Sequence, residues 1–123
     1  MATFTKLALQ PAGTTGDGLG ITVVATVTAG TAIHTASATP ATIDEIWLYA
    51  VNIDSSAVVL TVEFGGVSVT KDIIQQSIAA TPSGLVLVCA GLIVKGNATA
   101  KIIRAFAGTA SKIEIFGFVN RIA

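Results

Sequence analysis

Residues 43–70 read IDEIWLYAVNIDSSAVVLTVEFGGVSVT, and this stretch decides the predicted fold. Apolar and polar side chains alternate along it, which indicates β-strands with one buried face. The polar residues at 54–56 predict a turn. Gly65-Gly66 predicts a two-residue hairpin, because paired glycines supply the positive φ that such turns require. The stretch therefore predicts three consecutive antiparallel strands that form a meander.

The two predicted turns also fix which residues of the meander lie opposite one another. Every expected pair is apolar, so one face of the meander is expected to be buried. A slip of one residue in either turn would move the whole apolar set to the other face. The expected pairs are Ala50–Leu60, Leu48–Val62, Ile46–Phe64, Phe64–Val67 and Val62–Val69.

The remainder of the chain also divides into short strands. Residues 21–28 and 31–35 alternate in the same way, and residues 85–94 predict two strands around a bend at Ala90-Gly91. A last hairpin, with its turn at 108–110, places Arg104 opposite Glu114. No stretch has the 3.6-residue apolar period of a helix. We therefore predict an all-β, single-domain antiparallel β-sandwich, jelly-roll-like, with about eight short strands.

Two regions of different character are expected within the chain. Residues 10–20, QPAGTTGDGLG, are rich in Gly, Thr and Pro and have no apolar period. Residues 1–20 are therefore predicted to be an N-terminal arm and a flexible loop, and residues 21–123 to be the β-sandwich domain.

The composition is unusual for a soluble monomer. Of the 123 residues, 52% are hydrophobic and 11% are charged, compared with about 25% charged residues in a typical globular protein. So little charge predicts that apolar surface is buried against other chains. The seven basic and seven acidic residues are scattered singly and sum to zero net charge, which argues against nucleic acid or an anionic membrane as a partner. Neither a signal peptide nor an apolar run of ~20 residues is recognisable, so we expect synthesis in the cytoplasm.

Residues that could perform chemistry are few and isolated. The glycines at 16–20 lack the preceding strand and following helix that a phosphate-binding loop requires. His34 has no recognisable catalytic partner, and Cys89 lies in an apolar run that favours a buried, inert thiol. We expect no enzymatic activity, no cofactor and no metal. The acidic residues without metal-site spacing are interpreted as solvated turn carboxylates: Asp44, Glu45, Asp54 and Asp72.

Four aromatic residues form the candidate site. Trp47 and Tyr49 fall on the mixed face of the predicted meander, and Phe116 and Phe118 fall on the nominally exposed face of the predicted last hairpin. Aromatic side chains are enriched in protein interfaces and in sugar-binding platforms. Coverage of Trp47 and Tyr49 by a second sheet or by the N-terminal segment is the alternative. We predict that the four residues make subunit contacts.

Most of the chain after residue 44 resembles small virion structural proteins of tailed bacteriophages. The similar segments are EIWLYAVN (45–52), VVLTVEFGG (58–66), SGLVLVCAGLIVKGNATAKIIRAFA (83–107) and IEIFGFVNRI (113–122). Proteins of this kind are commonly capsid decoration or cement proteins, or other head and tail components. The resemblance implies a structural role and no catalytic residues.

The sequence and the resemblance together predict a capsid decoration or cement protein, made in the host cytoplasm and located on the capsid surface of the virion. Its expected partners are copies of itself, as a dimer or trimer, and the major capsid protein. One alternative is a component of the tail, the baseplate or a head fibre. A second alternative is a carbohydrate-binding β-sandwich module that uses Trp47 and Tyr49 as a stacking platform.

Overall fold

The computed structural model describes residues 2–13 and 16–123; two residues of the predicted flexible loop, 14 and 15, lie outside it. The described residues form nine strands and no helix. Accordingly, no helix in this part of the chain is long and apolar enough to cross a membrane. The strands are β1 (Phe4–Ala8), β2 (Ile21–Thr22), β3 (Thr31–Thr35), β4 (Ile43–Asn52), β5 (Val58–Phe64), β6 (Ile73–Ile78), β7 (Val86–Lys95), β8 (Ile102–Ala107) and β9 (Ile113–Ile122).

The strands form two antiparallel sheets. Sheet A has the order β1–β9–β4–β7, and β2 pairs with β9 beyond the end of β1. Sheet B has the order β3–β8–β5–β6. Residues 4–8 of the predicted N-terminal arm are thus a strand of sheet A. The prediction of an all-β fold with two antiparallel sheets is confirmed.

The apolar core lies between the two sheets. Alternate side chains of each strand point inward, as β4 shows by its regular change from half-buried to buried residues along its whole length. The inward residues of both sheets are almost completely shielded from solvent. They include Ile46, Leu48, Ala50, Ile113, Ile115 and Val119 from sheet A, and Ile33, Val58, Leu60, Val62, Ile103, Ala105 and Ala107 from sheet B.

The predicted meander is wrong, because β4 and β5 belong to different sheets. β4 pairs with β7 and β9, whereas β5 pairs with β6 and β8. Residues 53–57 therefore cross the edge of the core instead of closing a hairpin. The crossing is held by the buried side chain of Asn52, whose Nδ2 donates to the carbonyl oxygens of Ser56 (3.0 Å), Ile78 (3.1 Å) and Ala79 (3.1 Å).

The predicted two-residue hairpin at Gly65-Gly66 is also wrong. The next strand begins only at Ile73, which pairs with Glu63, and residues 65–72 form a loop between β5 and β6. The Asp72 carboxylate closes this loop by accepting the backbone N–H of Ser68 at 2.9 Å. Val67 and Val69, which were expected on the buried face, are 51% and 85% exposed.

The expected pairing of Arg104 with Glu114 is a third error with the same cause. Arg104 lies on β8 in sheet B beside Glu63, and Glu114 lies on β9 in sheet A, where it accepts the Thr22 hydroxyl at 2.7 Å. Both β4–β5 and β8–β9 were predicted to pair side by side. In each pair the two strands instead lie in different sheets, with their apolar faces toward each other across the core. An apolar face is buried equally well by this packing and by side-by-side pairing, so the alternation of side chains does not distinguish the two.

Candidate interaction surface

The four candidate aromatic residues lie together on the outer face of sheet A. β9 pairs directly with β4, and this pairing places Trp47 opposite Phe118 and Tyr49 opposite Phe116. All four side chains are half-buried, and sheet B packs on the other face of their sheet. We call these four residues the aromatic surface. The structure brings them into two adjacent cross-strand pairs; their role as subunit contacts stays a prediction.

Phe118 lies at the centre of a row that runs across the sheet. The rings of Trp47 and Phe118 are nearly parallel, at 8°, with their centroids 5.9 Å apart, which is the offset stacking that aromatic pairs prefer. The Lys6 Nζ lies 4.7 Å from the centroid of the Phe118 ring. Because β1 and β4 flank β9 on opposite sides, Phe118 is contacted from both sides.

Polar neighbours fix the orientation of the Trp47 ring. The Trp47 Nε1 donates to Glu45 Oε1 at 2.7 Å, and the Asn120 Nδ2 donates to the same oxygen at 3.0 Å. These hydrogen bonds, from Trp47 first and Asn120 second, lower the pKa of Glu45 below its usual value. The tryptophan is thus held by a carboxylate that stays ionised, so its ring is preorganised for contact.

A glycine on β7 makes room for the Trp47 ring. A Cβ on Gly91 would lie 3.1 Å from Cζ2 of Trp47, and Gly91 has a φ of +76°, which favours glycine. This residue forms a β-bulge in β7, where Ile46 pairs with Leu92 but Trp47 pairs with Ala90. The bend predicted at Ala90-Gly91 is therefore a bulge within one continuous strand.

Exposed apolar side chains extend the aromatic surface to both edges of the sheet. Phe4 on β1 is 75% exposed, and Leu87 and Ile93 on β7 are 47% and 61% exposed. Their cross-strand partners show that they share the outer face: Phe4 pairs with Ile122, Leu87 with Tyr49 and Ile93 with Glu45. No sequence pattern predicts that Phe4, Lys6 or Asn120 belongs to this surface, because only the pairing of β1 with β9 places them there.

A buried ionic network closes one end of the core. Asp44 is 1% exposed and accepts two hydrogen bonds from Arg121, at 2.7 Å to Nε and 2.8 Å to Nη2. The His34 Nε2 lies 2.9 Å from Asp44 Oδ2, and the His34 Nδ1 accepts the backbone N–H of Gln10 at 3.1 Å. Because Nδ1 accepts, the proton lies on Nε2, which donates to Asp44. Interpreting Asp44 as a solvated turn carboxylate was wrong.

The electrostatics of Asp44 follow from these contacts. Burial by itself raises the pKa of this carboxyl, but the hydrogen bonds from Arg121 and His34 and the positive charge of Arg121 outweigh it and lower the pKa to about 2. The same pairing raises the pKa of Arg121. The network joins β3 of sheet B to β4 and β9 of sheet A, so it ties the two sheets and residue 10 together. His34 is fully buried, and its contacts are those of a structural group.

The other side chains that could take part in chemistry are also buried. Cys89 is buried, burial raises the pKa of its thiol, and its Sγ lies 3.4 Å from the carbonyl oxygen of Ile46. Glu63 is 1% exposed and accepts the Thr28 hydroxyl and the Gly30 N–H. Among residues 2–13 and 16–123, no three His, Cys, Asp or Glu side chains could hold a metal ion together.

The outer face of sheet B carries a groove of about 460 Å³. Loop residues Val27, Val67 and Val69 line it, and Phe106 and Thr61 contribute from the strands. Within it the Gln75 Nε2 donates to the Thr61 hydroxyl at 3.1 Å.

Comparisons with known proteins give no match: no family model, no curated protein and no solved structure is similar to this chain.

Proposed function

We propose that this protein is a structural component of a bacteriophage virion, a capsid decoration or cement protein that self-associates and bridges neighbouring capsid subunits. The observation that carries the proposal is the aromatic surface with its exposed apolar rim on the outer face of sheet A. Tryptophan, tyrosine and phenylalanine gathered in one patch are typical of protein interfaces. The expected location is the capsid surface, after synthesis in the host cytoplasm.

A jelly-roll topology is part of the proposal, and the strand order supports it. Four antiparallel pairs are nested in sequence: β5 with β6, β4 with β7, β3 with β8, and the β1–β2 segment with β9. Every connection from β2 onward, except β5–β6, leads from one sheet to the other. A long hairpin that is folded over itself gives this arrangement, and jelly rolls are common in viral capsid proteins.

Clamping is the mechanism that this geometry suits. A protein that contacts two neighbouring subunits adds contacts that must break before the shell opens, and many copies act together. The low charge of the chain fits a role in packing and contact, as does the absence of unpaired buried polar side-chain atoms among the described residues. A tail, baseplate or head-fibre location would use the same surface against a different partner.

A carbohydrate-binding role is less well supported by the aromatic geometry. Sugar stacking on Trp47 and Tyr49 requires accessible ring faces, whereas the Trp47 ring is already stacked on Phe118. Docking of a protein surface does not require a free ring face, and all four aromatic side chains are only half-buried. The geometry therefore favours protein contact.

The test uses particles assembled without the protein. Purified protein is added to these particles, bound protein is measured by co-sedimentation, and shell stability is measured by heating. We expect saturable binding and a higher disruption temperature, both reduced by Trp47→Ala. Phe106→Ala, which removes an aromatic ring from the outer face of sheet B, is the matched control and should bind normally. Absence of binding to heads, together with binding to tails or to glycans, would contradict the capsid role.

A further inference from the structure

The outer face of sheet A forms an ordered grid of side chains across β1, β9 and β4. Strand pairing places the residues in three rows, which are apolar, charged and aromatic in turn. The rows, written from β1 to β4, are Phe4–Ile122–Ile43, Lys6–Asn120–Glu45 and Ala8–Phe118–Trp47.

We propose that this face packs against the same face of a second copy, about a two-fold axis that runs along β9. Such an axis exchanges the positions of β1 and β4 and leaves β9 facing β9 of the partner. Each row then meets itself in reverse order, so both ends of every row contact the opposite ends of the partner's row. The inference rests on the proposed structural role and deepens it: the dimer covers the β1–β9–β4 part of the face and leaves the exposed apolar side chains of β7, Leu87 and Ile93, for contact with the particle.

The grid is complementary to itself under this operation. In the charged row, the Lys6 ammonium meets the carboxylate of the partner's Glu45, and Glu45 meets the partner's Lys6. In the aromatic row, Trp47 meets the small side chain of the partner's Ala8. In the apolar row, Phe4, which is 75% exposed, meets the partner's Ile43. One two-fold operation therefore pairs opposite charges in the charged row, a large with a small side chain in the aromatic row, and two apolar side chains in the apolar row.

The overlap between the two copies is of modest size. The axis lays three strands, β1, β9 and β4, over those of the partner; at about 4.8 Å apart and at most roughly 33 Å long they give no more than roughly 480 Å² in projection, and β1, with five residues, spans only part of that length. This overlap is smaller than the ~800 Å² per partner that a standard interface buries, so a dimer of modest affinity is expected. The β7 edge does not offer an equal alternative, because bulges at two places in its pairing with β4 interrupt its regular edge.

Charge exchange tests the two-fold arrangement directly. Lys6→Glu alone places two carboxylates together at both contacts, and Glu45→Lys alone places two ammonium groups together. We expect each variant to dimerise roughly tenfold more weakly than the wild type, or worse. An equimolar mixture restores opposite charges at both contacts, so heterodimers should form with nearly wild-type affinity. One variant is labelled uniformly with ¹⁵N, so that native mass spectrometry distinguishes heterodimers from both homodimers. Lys71→Glu in the exposed 65–72 loop is the control.

A size exchange gives an independent test if Glu45→Lys disturbs folding. Ala8→Trp creates a clash with the partner's Trp47, and Trp47→Ala leaves a gap opposite the partner's Ala8. A mixture of Ala8→Trp with Trp47→Ala removes both defects, so it should again favour the heterodimer.

The outcomes separate this inference from the proposed function. A wild-type protein that stays monomeric, or folded variants whose mixtures form no heterodimer, would overturn the two-fold arrangement. Binding to particles by those same proteins would leave the capsid role standing. Heterodimers that form as expected, with no binding to any particle, would support the dimer and contradict the capsid role.

Discussion

Removal of the Arg121 guanidinium is expected to destabilise the fold more than any change of an exposed charge. Arg121→Met leaves the Asp44 carboxylate buried, with His34 as its remaining partner. At present Asp44 receives two hydrogen bonds from Arg121, at 2.7 Å and 2.8 Å. A buried carboxylate without its cation retains the cost of desolvation and loses the attraction that offsets it.

The magnitude follows from burial. Breaking a buried ion pair by removal of one partner costs about 3–5 kcal/mol. The Arg121 side chain is 24% exposed, so water can reach the vacated space, and we expect a cost of roughly 2–4 kcal/mol. A domain of this length is stable by roughly 6–18 kcal/mol in total. The expected loss lowers the melting temperature by roughly 10 °C.

The assay is a double-mutant cycle measured by chemical denaturation. Asp44→Asn removes the charge on the other side, and the double variant removes both charges. Because the second change relieves the unpaired carboxylate, the double variant should be less destabilised than the sum of the single variants, by at least about 1.5 kcal/mol. Lys71→Met, which removes an exposed cation, is the control and should change stability by less than about 0.5 kcal/mol. Additivity within about 0.5 kcal/mol would refute the reasoning.

Three further predictions concern acid, the β4–β5 crossing and the β7 bulge. The pKa of Asp44 is about 2 in the folded protein, and its ordinary value is 3.8. The ionised carboxylate therefore contributes its full stabilisation at pH values above 3.8. About 2 kcal/mol of the free energy of unfolding should be lost as the pH falls toward 2. Asp44→Asn should lack this loss, and equal acid sensitivity of both proteins would contradict it. Asn52→Asp places a carboxylate against backbone carbonyl oxygens and should cost roughly 2–4 kcal/mol in urea denaturation, whereas Asn97→Asp, at an exposed position, should be nearly neutral. Gly91→Ala should cost about 1–2 kcal/mol, because φ is +76° and an aromatic ring lies 3.1 Å from the new Cβ; Gly108→Ala, with open space around it, is its control, and equal effects of the two would count against the bulge geometry.

The orientation of side chains could be predicted from the sequence. Ile46, Leu48 and Ala50 were expected on a buried face, and Leu60 and Val62 opposite them; all five are buried. This success has a local cause, because successive side chains of any strand point to opposite faces. Trp47 and Tyr49 were placed on the opposite face for the same reason, and they lie on the outer face of sheet A.

The candidate site could be predicted only in part. Alternation placed Phe116 and Phe118 on one face of their strand, but it did not indicate that this strand pairs with β4. The grid that includes Lys6 and Asn120 depends on the same long-range pairing. The ionic network of His34, Asp44 and Arg121 had no sequence signal, since three strands far apart in the chain bring it together.

The amino-acid sequence by itself determined the all-β class and, for β4, β5, β8 and β9, the strands and their apolar faces, because these depend on alternation and turn chemistry within a few residues. Only the tertiary structure decided which strands are neighbours. A short polar segment, such as residues 53–57, can close a hairpin or cross from one sheet to the other, and the apolar face is removed from water in both cases. The choice is made by the other strands that compete for each edge, as β7 and β9 do for β4, and that competition is a property of the whole chain.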